Sequence, residues 1–152
     1  VCDLKERWES DVMELEPDWL SIMIGINDVW RQFDDAQAPK QIGLTEYEET
    51  LRFLVKRAKT TLKGLVLMTP FYIEANKKDP MREMMDQYSQ IVRQIAEEQS
   101  SIFVDVQSAF DHYLIHQPTQ SLCGDRVHSN PTGHLIITKA FLDRIGYQWN
   151  KP

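Results

Sequence analysis

Two stretches bring together residue types suited to acid–base and oxyanion chemistry. In "GDRVHSNPTGH", Asp125 stands three residues before His128, and the start of a helix follows. Within one loop, a carboxylate at that spacing can accept a hydrogen bond from one imidazole nitrogen and leave the other to take a proton. The same pattern also describes an exposed loop pair beside a helix N-terminus, so the pair alone does not fix a role. In "LSIMIGINDVWR", an apolar run climbs through Gly25 and ends in Asn27 and Asp28. A side-chain amide at that point can aim an N–H at charge developing on a carbonyl oxygen. Asn and Asp after a strand also open turns, and Asp28 reads as a brace for that turn. No cluster of Cys and His at ligand spacing points to a metal. Cys2 and Cys123 are too far apart in a chain of this kind to make a disulfide framework, and read as thiols kept reduced in the cytosol.

The elements that must position these residues alternate. Leu4, Trp8, Val12 and Leu15 share one face of a helix predicted over Asp3 to Leu15, broken by Pro17. Leu20 to Ile26 reads as a strand that is apolar on both faces. A helix is predicted from Thr45, with Glu48 completing a capping box, and Tyr47, Leu51, Leu54, Val55 and Ala58 on its buried face. Leu65 to Met68 forms the second strand. Asp79-Pro80 caps a long helix that buries Met84, Met85, Tyr88, Ile91, Val92 and Ile95. Ser101 to Val106 is the third strand, Ser108 to His116 a shorter helix, and Asn130-Pro131 caps a last helix that Gly146 stops after Ile145. Strands alternating with helices imply an α/β fold with a parallel sheet covered on both faces. The site is then expected beyond the carboxyl ends of the strands, where Asp28–Leu44, Pro70–Asp79 and the segment reaching His128 emerge.

At 152 residues a single domain is the natural expectation, and 42% hydrophobic with 26% charged residues is ordinary for a globular chain. A net charge of −6 argues against a nucleic-acid partner, whose phosphates require Lys and Arg. No apolar run approaches the roughly 20 residues that span a bilayer. The first residues, "VCDLKERWESD", are charged and amphipathic, unlike a signal peptide.

"GIND" after a strand and "DRVH" before the last helix resemble the third and fifth sequence blocks of the SGNH, or GDSL, hydrolases. "PDWLSIMIGINDVWRQ", "LMTPFYIEAN", "DPMREMMDQY" and the terminal "DRVH" with "GH" are similar to the acetyl-xylan esterase group within that family, along nearly the whole chain. The resemblance implies a three-layer αβα sandwich of flavodoxin-like type and ester hydrolysis by a Ser-His-Asp route without a cofactor or metal. Acetylated carbohydrate such as xylan is the implied substrate. His128 would be the general base and then acid, Asp125 its orienting carboxylate and Asn27 an oxyanion donor. Gly25 would permit the tight turn before Asn27, and Trp30 and Phe71 would wall the acyl or sugar pocket.

The departures from the family are as informative. Its nucleophilic Ser lies in a Gly-Asp-Ser block after the first strand, and a second block supplies a Gly whose N–H completes the oxyanion hole. Neither block occurs here, and "VCDLKERW" resembles the helix after the second block. Residues 1–152 therefore read as a single, partial SGNH domain without the first two strands. Ser10, Ser21, Ser89, Ser108, Ser121 and Ser129 do not sit in an elbow pattern that would replace the nucleophile. The strand ending at Asn27 is expected to become a sheet edge, which favours a homo-oligomer or a complex with the absent segment. The competing reading is a catalytically silent remnant that binds carbohydrate or protein.

Overall fold

The computed structural model of the chain describes residues 1–34 and 41–149. Two short helices, α1 (Cys2–Glu6) and α2 (Trp8–Asp11), lead into a 3₁₀ turn at Met13–Leu15 and then strand β1 (Trp19–Met23). The single helix predicted over Asp3 to Leu15 is thus broken. Arg7 lies at φ −109°, ψ 13°, and Val12 at φ −130°, ψ −58°, outside helical values. The break turns Trp8 into the core while Leu15 stays 71% exposed. Glu16, before Pro17, ends this segment in the left-handed conformation at φ 47°.

The remaining order is α3 (Ile26–Asp34), α4 (Leu44–Lys59), β2 (Gly64–Met68), α5 (Pro80–Glu98), β3 (Ile102–Val104), α6 (Val106–Leu114) and α7 (Pro131–Arg144). Among the described residues the sheet has three parallel strands in the order β1-β2-β3. Trp19 pairs with Gly64 and Met23 with Met68, while Val66 pairs with Ile102 and Met68 with Val104. Alternate side chains of β2 enter opposite cores, as a pleated strand requires. Leu65 and Leu67 join Ile22, Leu51, Leu54, Tyr88 and Ile95 on the side of α4 and α5. Val66 and Met68 join Val104, Phe110 and Leu122 on the side of α6, with Ile136 and Ile137 of α7 packed against them. Helices on both sides of a parallel sheet make the three layers expected from the alternating pattern.

Four boundaries differ from the sequence reading. β1 stops at Met23 rather than Ile26, because Gly25 at φ +134° turns the chain directly into α3. α3 itself was not expected; Asn27 and Asp28, read as a turn, form its first helical turn, where an acidic side chain suits the helix dipole. β1 is also not buried on both faces, since Ile22 points inward while Trp19 and Met23 are exposed. The proposed Thr45–Glu48 capping box is absent. α4 starts one residue earlier from Gly43, which is extended at φ −78°, ψ 170° and offers no side chain to cap it. β3 ends at Val104, and Asp105 caps α6 by accepting from the Ser108 N–H at 2.9 Å, so α6 begins before Ser108.

Two proline-led starts follow the sequence reading. Asp79 accepts from the N–H groups of Met81 and Arg82 at 3.0 and 3.1 Å. Asn130 accepts from Thr132 and Gly133 at 3.0 and 3.2 Å. The loop between β2 and α5 is fixed from below by Arg82. That side chain is almost wholly buried, pairs twice with Asp111 at 2.7 Å, and donates to the Glu74 carbonyl at 2.7 Å. Burial alone would raise the Asp111 carboxyl, but its bonds from Arg82 and Gln107 hold it below the ordinary value.

Candidate active site

The site is assembled at the carboxyl end of the sheet from two loops and one helix. The loop before α7 supplies the acid–base pair. Asp125 Oδ1 accepts from the backbone N–H groups of Val127 and His128 at 3.0 and 2.8 Å. Its second oxygen, Oδ2, lies 2.6 Å from His128 Nδ1. The bond to the imidazole, followed by the two backbone bonds, holds the Asp125 carboxyl well below the usual range, so it stays an acceptor. A carboxylate accepts only, so Nδ1 carries the proton and Nε2 presents its lone pair outward. The His128 side chain is 71% exposed, leaving that nitrogen reachable from solvent. Arg126, between the two, lies at φ 65°.

The turn from β1 into α3 supplies the second part. At Gly25 a Cβ would meet Pro70 Cγ and Tyr47 Oη, each at 3.1 Å, so this position needs glycine for space as well as for its φ. Tyr47, fully buried, donates to the Ile24 carbonyl at 2.8 Å. Burial, with the Asp28 carboxylate and Tyr88 nearby, pushes its phenol far above the ordinary value, so Tyr47 remains a donor. Gln32 Nε2 reaches the Asp28 carbonyl at 2.8 Å and the Ile42 carbonyl at 2.9 Å, bracing α3 from behind. The Asp28 side chain is buried and accepts from the Val1 nitrogen at 2.7 Å. Asn27, beside it, is exposed.

Trp30 joins the two parts. Its ring meets the His128 ring edge-on, with centroids 6.0 Å apart and planes at 87°. Asn27 lies three residues before Trp30 on the same helix, and residues at that spacing share a face. The His128 ring therefore rests against the helix that carries Asn27. A cavity of about 280 Å³ opens beside Asn27, lined by Met23, Gly25, Asp28 and Arg31 among others, but not by His128 or Trp30. A larger groove of about 790 Å³ lies along α6 and α7 and is lined by neither His128 nor Asn27.

Phe71 is not brought to this site. It is 9% exposed and packs on Phe110, ring centroids 4.6 Å apart, in the core on the α6 side. Its sequence position after β2 is equally compatible with either side of the sheet. Among the serines, Ser89 donates to the Pro70 carbonyl and Ser121 to the Pro118 carbonyl. Ser129 packs against Gly133 rather than capping α7, a task that Asn130 performs. Among the described residues, no group of His, Cys, Asp and Glu could hold a metal ion, and no helix is long and apolar enough to cross a membrane. Tyr47, Gln32 and Arg126 were not singled out from the sequence. Tyr47 was visible only as one apolar position of a helix.

Comparison with known proteins identifies the family. Residues 2–136 match the GDSL-like lipase/acylhydrolase family. An acetylxylan esterase of Geobacillus stearothermophilus is 55% identical over 150 residues, which is 98% of this chain and 68% of that enzyme. The crystal structure of an acetylxylan esterase from the same organism, 54% identical, superposes with a TM-score of 0.97 over 99% of this chain and 69% of that one. Catalytic mutants of that enzyme with a serine, an aspartate or a histidine replaced by alanine are also matched at a TM-score of 0.97. An alpha/beta hydrolase enzyme from the metagenome of Lake Arreo, Spain, is 47% identical with a TM-score of 0.94, covering 96% of this chain and 67% of that one. With its parallel three-layer fold and these matches, the chain belongs to the GDSL-like lipase/acylhydrolase family.

Proposed function

We propose that this chain carries the acid–base half of a carboxylic ester hydrolase that removes acetyl groups from xylan-type sugars. The observation that carries the reading is the Asp125–His128 pair, bonded at 2.6 Å through Nδ1 with the imidazole exposed to solvent. The acetyl-sugar preference is supported by the relatives that are acetylxylan esterases. In this reading a serine hydroxyl attacks the acetyl carbonyl while His128 Nε2 takes its proton. The Asn27 amide donates to the oxyanion of the tetrahedral intermediate. His128 returns the proton to the departing sugar oxygen, leaving an acetyl-serine. Water, deprotonated by the same nitrogen, then releases acetate and restores the serine. Asp125 keeps the ring in the tautomer that makes each transfer possible, and Trp30 walls one side of the cleft.

We place the nucleophile outside these 152 residues, because no Gly-Asp-Ser occurs in them and the Ser89 and Ser121 hydroxyls are turned to backbone carbonyls. The chain alone is therefore expected to release no acetate from an acetylated xylo-oligosaccharide above the rate of free histidine. Triad members act as a unit, and the loss of one can cost as much as the loss of all. Stoichiometric labelling of a single serine in this chain by a serine-directed phosphonate would overturn the assignment.

The same reading bears on assembly. β1 is an edge of the sheet among the described residues, and its outward positions include Trp19 and Met23 at 58% and 43% exposure. It holds no Lys, Pro or internal charge to discourage pairing. We expect residues 1–152 either to self-associate through β1 or to hold the nucleophile-bearing segment there as a further strand. Light scattering at micromolar concentration checks this. A monodisperse, cooperatively folded monomer without a bound peptide is the result that would count against it.

A further inference from the structure

We propose that Arg126 is a positioning residue for the acid–base pair, holding the backbone in a left-handed turn that folds His128 onto Asp125; this rests on the hydrolase reading above. Arg126 sits between the two functional residues at φ 65°, a conformation that a residue with a Cβ adopts at a cost and that persists only when its surroundings impose it. The surroundings here are specific. Arg126 Nη1 donates to Glu74 Oε2 at 2.7 Å and lies 3.4 Å from Asp79 Oδ2. Its guanidinium stands 5.3 Å from the centre of the Tyr72 ring. Its carbonyl accepts from the Ile73 N–H at 2.9 Å. Glu74 is itself fixed, since its other carboxylate oxygen accepts from Asn76 N–H at 2.7 Å and its carbonyl from buried Arg82 at 2.7 Å. The side chain thus ties the strained residue to the rigid loop after β2. Across that turn Asp125 Oδ1 accepts from the Val127 and His128 N–H groups and Oδ2 meets His128 Nδ1.

Alanine and glycine at this position separate strain from anchoring. Both remove the ion pairs, but glycine enters the left-handed region without a Cβ clash. The test uses the enzyme with its nucleophile-bearing segment present. Arg126→Ala is expected to lower kcat about 10-fold or more, a scale typical of small misplacements of reacting groups, with KM nearly unchanged. Arg126→Gly should recover most of that loss. Glu74→Gln, which keeps Arg126 but weakens its tether, should lower kcat in the wild-type background and have no effect beside Arg126→Gly. A residue that merely stabilised the loop would make glycine no better than alanine. Glycine as slow as or slower than alanine, or wild-type kcat in both, overturns the inference; melting temperatures verify that each variant is folded, and Glu74→Gln decides if the alanine variant is not. His128→Ala separates the two levels: if that variant keeps turnover, the hydrolase reading fails, whereas loss there with wild-type kcat in Arg126→Ala sinks only the positioning role.

Discussion

His128→Ala, in the enzyme carrying its nucleophile-bearing segment, is expected to lower kcat by about 10⁴ or more. No other described residue is placed to take over. His112 and His116 lie at or beyond the end of α6, exposed, and His134 is an exposed residue of α7. The imidazole acts in both halves of the reaction, so its loss stalls acylation and deacylation alike. Asp125 would remain as a carboxylate accepting from the backbone N–H groups of residues 127 and 128, too weak a base near neutral pH to take over the proton transfers. Steady-state acetate release from an acetylated xylo-oligosaccharide measures the effect. Turnover above about a hundredth of wild type would remove His128 from the chemistry.

Asn27→Ala should lower kcat by about 10² to 10³, the range found when one oxyanion donor is lost, and should change KM little. The amide lies in the first turn of α3, where unpaired backbone N–H groups also favour developing negative charge. The oxyanion role we propose for Asn27 requires a carbonyl near the imidazole to reach its amide as well. A donor that matters only when charge appears on oxygen affects the transition state and not the bound ester, hence the split between kcat and KM. Full activity in Asn27→Ala would leave the residue with a turn-forming role alone. A matched rise in KM with constant kcat would instead make it a ground-state contact.

What the sequence made legible was what short-range rules control. Asp79-Pro80 and Asn130-Pro131 announced the starts of α5 and α7, because a capping oxygen and a missing N–H act within a single turn. The buried face of α4 followed from helical spacing alone. Asp125 and His128 could be paired because the loop joining them is short. The failures share a different cause. α3 was hidden because Gly25 can bend a strand into a helix without any intervening loop, and an Asn-Asp pair gives the same signal for a turn and for a first helical turn. Phe71 was misplaced because adjacent positions after a strand can enter either of two cores, and only the tertiary packing chooses. The left-handed turn at Arg126 leaves no mark in composition, since it is imposed by Glu74, far away in the chain.

The two contacts made by His128 differ greatly in the length of chain that they close. The bond to Asp125 spans three positions, while the contact with Trp30 joins the loop before α7 to a helix near the start of the chain. The entropy lost in closing a loop grows with the logarithm of its length. The short loop makes the proton-transfer pair inexpensive to close, but the turn that carries it is tethered to Glu74, far earlier in the chain. The contact with Trp30 likewise joins distant segments. Both contacts of His128 therefore rely on tertiary structure, so mild denaturant should weaken substrate affinity and the chemistry together rather than in sequence.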